Sequence, residues 1–450
     1  MLSAGTAITE ITPPVGSVIN GDFFSHHAQS VEDPLYAKAI VLQSGTIRFA
    51  LVMVDICSLT YEFLNPVKQE IEAATGIPVQ YQLIAATHAH SGGSVTGIFL
   101  SEVDTAYCAF LATALVQVVT RACERLTPCM VAYGSARIPE HVVCRRYRMK
   151  KDFRPFDPFG KGTDTVVTNP FGQEDQILER AGETDPELAF VAFRSLNGAW
   201  LGVLANYSLH YVGDFPRTVI SADYFGYFAR SLKEMLGADD RFVALMSNGT
   251  SGNINIWDFL DPHRYPGEPF EKSRLIGTTL AKQIADSVPQ LQWDASAVLS
   301  VETAVFECAV RKPADTELTI AQQWLNATSF EPDTLTNTET VKQIYAREQL
   351  LLAAEPDRCP VHIQGIRIGA GRIGTFPGEL FAETGLWLKE QMKDGPYFTI
   401  CLANGNIGYV PPPHEMEAGG YETWRSRTSK LEAGAEPEVR ARLVQLLNGL

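Results

Sequence analysis

The sequence predicts an α/β fold: a single large domain of mixed β-sheets flanked by helices. Three observations carry this. Short apolar, β-branched runs alternate with stretches of helical periodicity along the chain. Two alternating runs meet at Asn197-Gly198, a favoured hairpin turn, so part of the sheet is antiparallel. No internal repeat or convincing linker divides the 450 residues, and a hydrophobic content of 45% supplies a substantial core.

Residues 47–56 (IRFALVMVDI) form a buried strand by their apolar run, and 62–74 a helix. Residues 79–90 (VQYQLIAATHAH) read as a second strand ending in histidines, and 104–126, rich in Ala and Val, as a long helix. The hairpin around Asn197 spans 187–210 and ends at His210. Then follow a helix at 224–235, a short strand at 242–248 running into glycines, a helix at 270–287 and a long strand at 297–310. Two helical stretches flank a polar run around 332–340. A hairpin at 361–376, a helix at 380–392, a strand at 397–403 and an amphipathic helix at 437–447 complete the chain. The region 150–185, rich in Pro, Gly, Asp and Thr, is expected to be a long surface excursion.

The formal net charge of -15 argues against nucleic acid or an anionic membrane as the main partner and leaves a small-molecule substrate. The N-terminus, MLSAGTAITEITPP, shows neither a basic n-region nor an apolar h-region. No run approaches the roughly 18 apolar residues of a spanning helix, so no integral membrane segment is expected. The eight cysteines are scattered without a CxxC and read as reduced and mostly buried. The expected location is cytoplasmic. Nothing in the sequence bears on oligomeric state.

AATHAHSGGS places His88 and His90 one residue apart at a strand end, followed by glycines that let the backbone turn close to a ligand. If the strand persists, both rings face one side. Neutral imidazole is the commonest metal ligand. His210 ends a second strand, and α/β proteins place sites at strand ends. Zinc in a catalytic site takes three or four N, O or S ligands and keeps a position for water, so a carboxylate is expected. Glu379, after a Pro-Gly turn in TFPGEL, is the candidate, although an acid at a helix start also answers the helix dipole.

THAHSGG, CRRYRMK, NYSLH, SADYFGY, SNGTSGNIN, FPGE and NGNIGYVPP, in this order, resemble the neutral/alkaline ceramidase family, and more closely its short bacterial members. The likeness runs from GTAITEITPPVG to about Tyr421. It implies a zinc site at strand ends held by His88, His210, Glu379 and Tyr409. It also implies that His90, Arg145 and Tyr421 act on the substrate, with Arg146 a competing choice for the arginine. Zinc lowers the pKa of bound water towards about 7 and polarises a carbonyl oxygen, the chemistry of amide hydrolysis. His90 and Tyr421 would donate to the developing oxyanion, each worth roughly 3–4 kcal/mol. His90 is also the proposed acid for the leaving amine. Asp55 and Asp223 are expected to receive the second N–H of the metal-bound histidines.

Three departures bear on the substrate. Asn255, a candidate substrate contact, stands where ceramidases carry a serine. The chain ends where the long ceramidases continue into a β-sandwich domain, and no export signal is visible. The expectation is a zinc-dependent hydrolase cleaving an N-acyl bond on a soluble compound rather than membrane ceramide. Rivals are a zinc-dependent polysaccharide lyase or glycosidase acting on uronate-type sugars, with Arg145 on the carboxylate, and a non-enzymatic metal-binding protein. GAGRIG (369–374) matches GxGxxG but is followed by Thr375-Phe376-Pro377 rather than a helix, which disfavours a dinucleotide site. GTSGN lacks the final glycine of a nucleophile elbow, which disfavours a serine hydrolase.

Overall fold

The computed structural model describes residues 1–326 and 338–450, with the backbone alone at Asn20. Of the polar run expected around 332–340, residues 332–337 lie outside the described residues. Eight strands make one mixed sheet: β1 (Leu2–Glu10), β2 (Tyr36–Ser44), β3 (Ile47–Val54), β4 (Gln82–Ala86), β5 (Thr127–Arg137), β6 (Glu187–Ser195), β7 (Trp200–Tyr207) and β8 (Val243–Asn248). Their order is β8-β7-β6-β5-β1-β2-β3-β4. The pairs β3–β4 and β7–β8 at the two edges are parallel and the inner pairs antiparallel. Four further strands, β9 (Leu299–Ala309), β10 (Arg358–Ile368), β11 (Gly371–Thr375) and β12 (Tyr397–Ile400), form a second sheet in that order.

The two sheets pack face to face through Leu51, Phe193, Leu299, Ile366, Ile373 and Phe398. Helices Tyr61–Thr75 and Thr105–Glu124 cover one part of the outer face of the large sheet, and helices Asp223–Met235 and Glu271–Ser287 another. Helix Ala435–Asn448 covers the second sheet. The result is a layered α/β/β/α body, as the alternation of elements predicts. The large sheet coils until β8 lies against β3 and β4. The segment after β12 links these edges: Cys401 N–H donates to Asn248 O at 3.0 Å, and Ala86 N–H donates to Leu402 O at 3.2 Å. This brings the ends of β4 and β7 together.

Most expected elements are present, including the Asn197-Gly198 hairpin, where Gly198 has φ 90°. Four differences have physical causes. The run 79–90 is a 3-10 turn, Val79–Tyr81, and then only the five residues of β4. The excursion 150–185 is not structureless: Val166–Thr168 and Ile177–Arg180 pair on either side of Arg146–Met149. Helix Thr105–Glu124 is long and apolar enough to cross a membrane by length and composition, which the sequence reading did not pick out. Here its face of Leu111, Leu115, Val118 and Val119 sits in the core.

The fourth difference is that β1, β2 and β5, the centre of the large sheet, were not expected. β1 (LSAGTAITE) is built from small residues because the long helix runs close behind it: a Cβ on Gly5 would lie 2.0 Å from Ala122 O. Gly5→Ala should therefore lower stability by about 1–3 kcal/mol through overpacking, read by denaturant unfolding. A variant as stable as the parent would show that the strand and helix separate freely.

Candidate metal centre

His88 lies two residues beyond β4, at φ 76°, a left-handed conformation a non-glycine residue adopts only where its surroundings hold it. Backbone bonds supply the hold: Thr87 N–H donates to Val54 O at 2.9 Å and His88 N–H to Ile56 O at 3.0 Å. The strand therefore does not persist to His90, and the shared-face reasoning fails. A turn brings the rings together instead, with the two Nε2 atoms 3.1 Å apart. His210 follows β7, in a loop fixed by the Asp223 carboxylate, which accepts Val212 N–H at 3.0 Å and Gly213 N–H at 2.8 Å.

Glu379 opens a two-residue strand, Glu379–Leu380, that runs parallel to Tyr409–Val410 with Glu379 opposite Tyr409. Gly408 makes this junction possible. Its φ is 86°, and a Cβ there would lie 2.1 Å from Thr428 O.

His88 Nε2, His210 Nε2 and a Glu379 oxygen converge as a group able to hold an ion. The two Nε2 atoms are 3.0 Å apart, and Glu379 Oε2 lies 3.6 Å from His88 and 3.7 Å from His210. All three side chains are buried.

The tautomers follow from the second nitrogens. His88 Nδ1 is 2.7 Å from Cys57 O and His210 Nδ1 is 3.2 Å from Ser251 O. A carbonyl only accepts, so each Nδ1 carries the hydrogen and each Nε2 presents a lone pair. Burial keeps the rings neutral, lowering His88 to about 4 and His210 well below its ordinary value. Glu379 Oε2 has no hydrogen-bond partner. Three lone-pair donors thus converge at one point, an arrangement a cation satisfies. Ligand atoms about 2.0–2.1 Å from a tetrahedral zinc stand about 3.3–3.4 Å from one another, which these separations bracket.

The acceptors beyond the ring nitrogens differ from expectation. Asp55 is bound by Lys38 Nζ at 2.8 Å and by Tyr36 N–H at 3.0 Å, and Asp223 by backbone N–H groups; neither receives a histidine. The carbonyls of Cys57 and Ser251 do that work, and a backbone carbonyl leaves no trace in side-chain chemistry.

Around these three side chains stand the other candidates. The Tyr409 hydroxyl meets Glu379 and accepts from Arg145 Nη2 at 3.1 Å. Arg145 also donates through Nε to Glu422 at 2.7 Å and through Nη2 to Gly252 O at 2.7 Å. His90 stacks on Tyr211 with ring centroids 3.6 Å apart. Tyr421 packs between Tyr409, Phe23 and Trp424. Asn255 lies on the short ladder with Val143, its Nδ2 2.5 Å from Asn169 Oδ1 and its own Oδ1 without a partner. Arg146, fully buried, is committed to Glu415, Glu422 and Gly419 O.

Sequence reasoning missed Cys57, Ser251, Tyr211 and Glu422. Only the last has a signal: an acid beside Tyr421, needed by two adjacent arginines. A second group, Glu383, His414 and Glu415, lies nearer the surface, but Glu415 already neutralises Arg146 at 2.7 Å.

No protein-family model and no curated protein sequence matches the chain. Solved structures do. Neutral ceramidase from Pseudomonas aeruginosa superimposes with a TM-score of 0.72 at 17% identity, over 99% of this chain and 74% of that one. A ceramidase complexed with C2 superimposes with a TM-score of 0.70 at 17% identity and the same coverage. The chain has the fold of the neutral ceramidases across nearly its whole length.

Proposed function

We propose that this protein is a zinc-dependent hydrolase of N-acyl bonds, with His88, His210 and Glu379 holding the metal and Tyr409 beside them as the fourth ligand. The convergence of lone pairs at one buried point is the observation that carries the reading. A zinc ion there supplies Lewis acidity and a water of lowered pKa.

The chain's own residues supply the rest. The Cys57 and Ser251 carbonyls fix the ring orientations. Burial and Glu379 push the Tyr409 hydroxyl well above its ordinary value, and Arg145, which stands over the ring and bonds that oxygen, offsets part of the push. His90 Nε2 lies 3.1 Å from His88 Nε2, and in the tautomer that carries its hydrogen on Nε2 the ring faces the cluster as a donor. From there it donates to a carbonyl oxygen gaining charge, or to the departing amine. Tyr211 holds that ring in place by stacking. Burial excludes bulk water and strengthens each of these interactions.

The uronate reading requires a cation free to bind a carboxylate. Arg145 is tied by Glu422, and Arg146 by Glu422 and Glu415, which weighs against it. The test is a paired assay on one purified sample, N-acyl amino compounds against uronate oligosaccharides, before and after chelation. Amide cleavage that stops on chelation and returns with zinc is expected. Turnover of the sugars alone, or turnover indifferent to chelation, would sink the proposal. Arg145→Ala, which removes the cation that bonds the Tyr409 hydroxyl, should lower zinc content and turnover together; a raised KM with zinc content intact would show that Arg145 binds substrate instead.

A further inference from the structure

A second cluster of nitrogen groups lies away from the metal centre, where helix Tyr61–Thr75 crosses the second sheet. A cleft of about 230 Å³ opens there. Lys68 enters it from the helix and His362 from β10. Lys68 is nine-tenths buried or more and makes two hydrogen bonds, to Gln82 O at 3.0 Å and Asn404 Oδ1 at 2.6 Å. An ammonium carries three hydrogens, and among the described residues no carboxylate pairs with this one. His362 stacks on Tyr61 with centroids 4.6 Å apart, and neither of its ring nitrogens has a hydrogen-bond partner among the described residues. Glu307 acts on His362 electrostatically without bonding to it.

A buried, unpaired ammonium is unfavourable unless something of opposite charge joins it. Burial lowers Lys68 to about 7, and Lys68 in turn helps lower His362. Most of the other lining groups are polar, Asn65, Gln80, Thr303 and Gln364 among them, and the apolar surface on the His362 face comes from Tyr61 and Val305, the cross-strand partner of His362.

We infer that this cleft is a ligand site for a small monoanion, a short-chain carboxylate, whose head meets Lys68 and His362 and whose short chain lies along Tyr61 and Val305. A single buried ammonium balances one negative charge, so a dianion is a poorer fit than a carboxylate. The site stands on residues separate from the metal ligands and holds whether or not the hydrolase reading does.

The test titrates sodium butyrate, and separately inorganic phosphate at matched ionic strength, into the purified full chain by calorimetry. Saturable one-to-one butyrate binding is expected, about tenfold or more weaker in Lys68→Met, since a charged hydrogen bond is lost. Val305→Trp, which crowds the cleft beside His362 and leaves Lys68 bonded, should abolish binding, whereas His210→Ala should leave it unchanged. Binding lost in His210→Ala but kept in Val305→Trp would place the carboxylate at the metal centre and overturn the inference. Phosphate binding more tightly than butyrate, or no saturable heat with butyrate, would overturn it as well.

Discussion

His210→Ala and His88→Ala should each yield protein without bound zinc and without turnover. In the proposed site each ring supplies one ligand, and its second nitrogen is already anchored to a backbone carbonyl. Loss even of an orienting partner typically weakens metal binding 10- to 100-fold, and loss of a ligand more than about 100-fold. His88 permits a sharper version. Its φ of 76° disfavours any residue with a Cβ, so His88→Ala combines ligand loss with backbone strain. His88→Gly relieves that strain and should be more stable than His88→Ala by about 1 kcal/mol, yet equally free of zinc. Elemental analysis and denaturant unfolding of the two variants separate the roles. Stoichiometric zinc in either would discredit the ligand set.

The largest effect on stability is expected at Glu422. Its carboxylate is fully buried and accepts from Arg145 Nε, Arg146 Nη1 and Thr168 Oγ1, each at 2.7 Å. Glu415 continues to serve Arg146 without it, but Arg145 would be left a buried charge with no counter-ion. Breaking a buried pair on one side costs about 3–5 kcal/mol, and Glu422→Gln should lose that much.

The effect has a pH signature. Burial alone raises the Glu422 pKa, but Arg145 and Arg146, with the Thr168 hydroxyl, outweigh it and hold the group below its ordinary value. A carboxylate depressed in the folded state stabilises fully above its unfolded pKa of about 4.3 and loses that contribution as pH falls through its folded value. The stability gap between parent and Glu422→Gln should therefore be constant near neutral pH and close in acid. A gap that widens in acid, or none at pH 7, would show that Glu422 is not the shared counter-ion.

Periodicity and turn chemistry made most of the outer architecture legible, the hairpin at Asn197-Gly198 above all. What stayed hidden was the middle of the sheet. β1 carries small residues where the long helix approaches closely, as Gly5 shows against Ala122, and close packing of small groups leaves no amphipathic signature; β2 has only a short apolar run, Ala39 to Leu42, and β5 is interrupted by polar and small residues. The candidate site was legible as residue types at segment ends, His88, His210 and Glu379. Its geometry was not. A left-handed turn at His88, a two-residue pairing of Glu379 with Tyr409 and carbonyls in place of the expected aspartates depend on backbone paths that long-range contacts impose. Arg145 and Arg146 are neighbours of like charge in sequence. Only the fold shows that one carboxylate, Glu422, binds them both.

The most direct test is metal-edge anomalous diffraction from crystals of the natively purified protein. One zinc peak is expected, about 2.0–2.2 Å from His88 Nε2, His210 Nε2 and the Glu379 carboxylate. No peak there, or a single peak at the Glu383, His414 and Glu415 group instead, would contradict it.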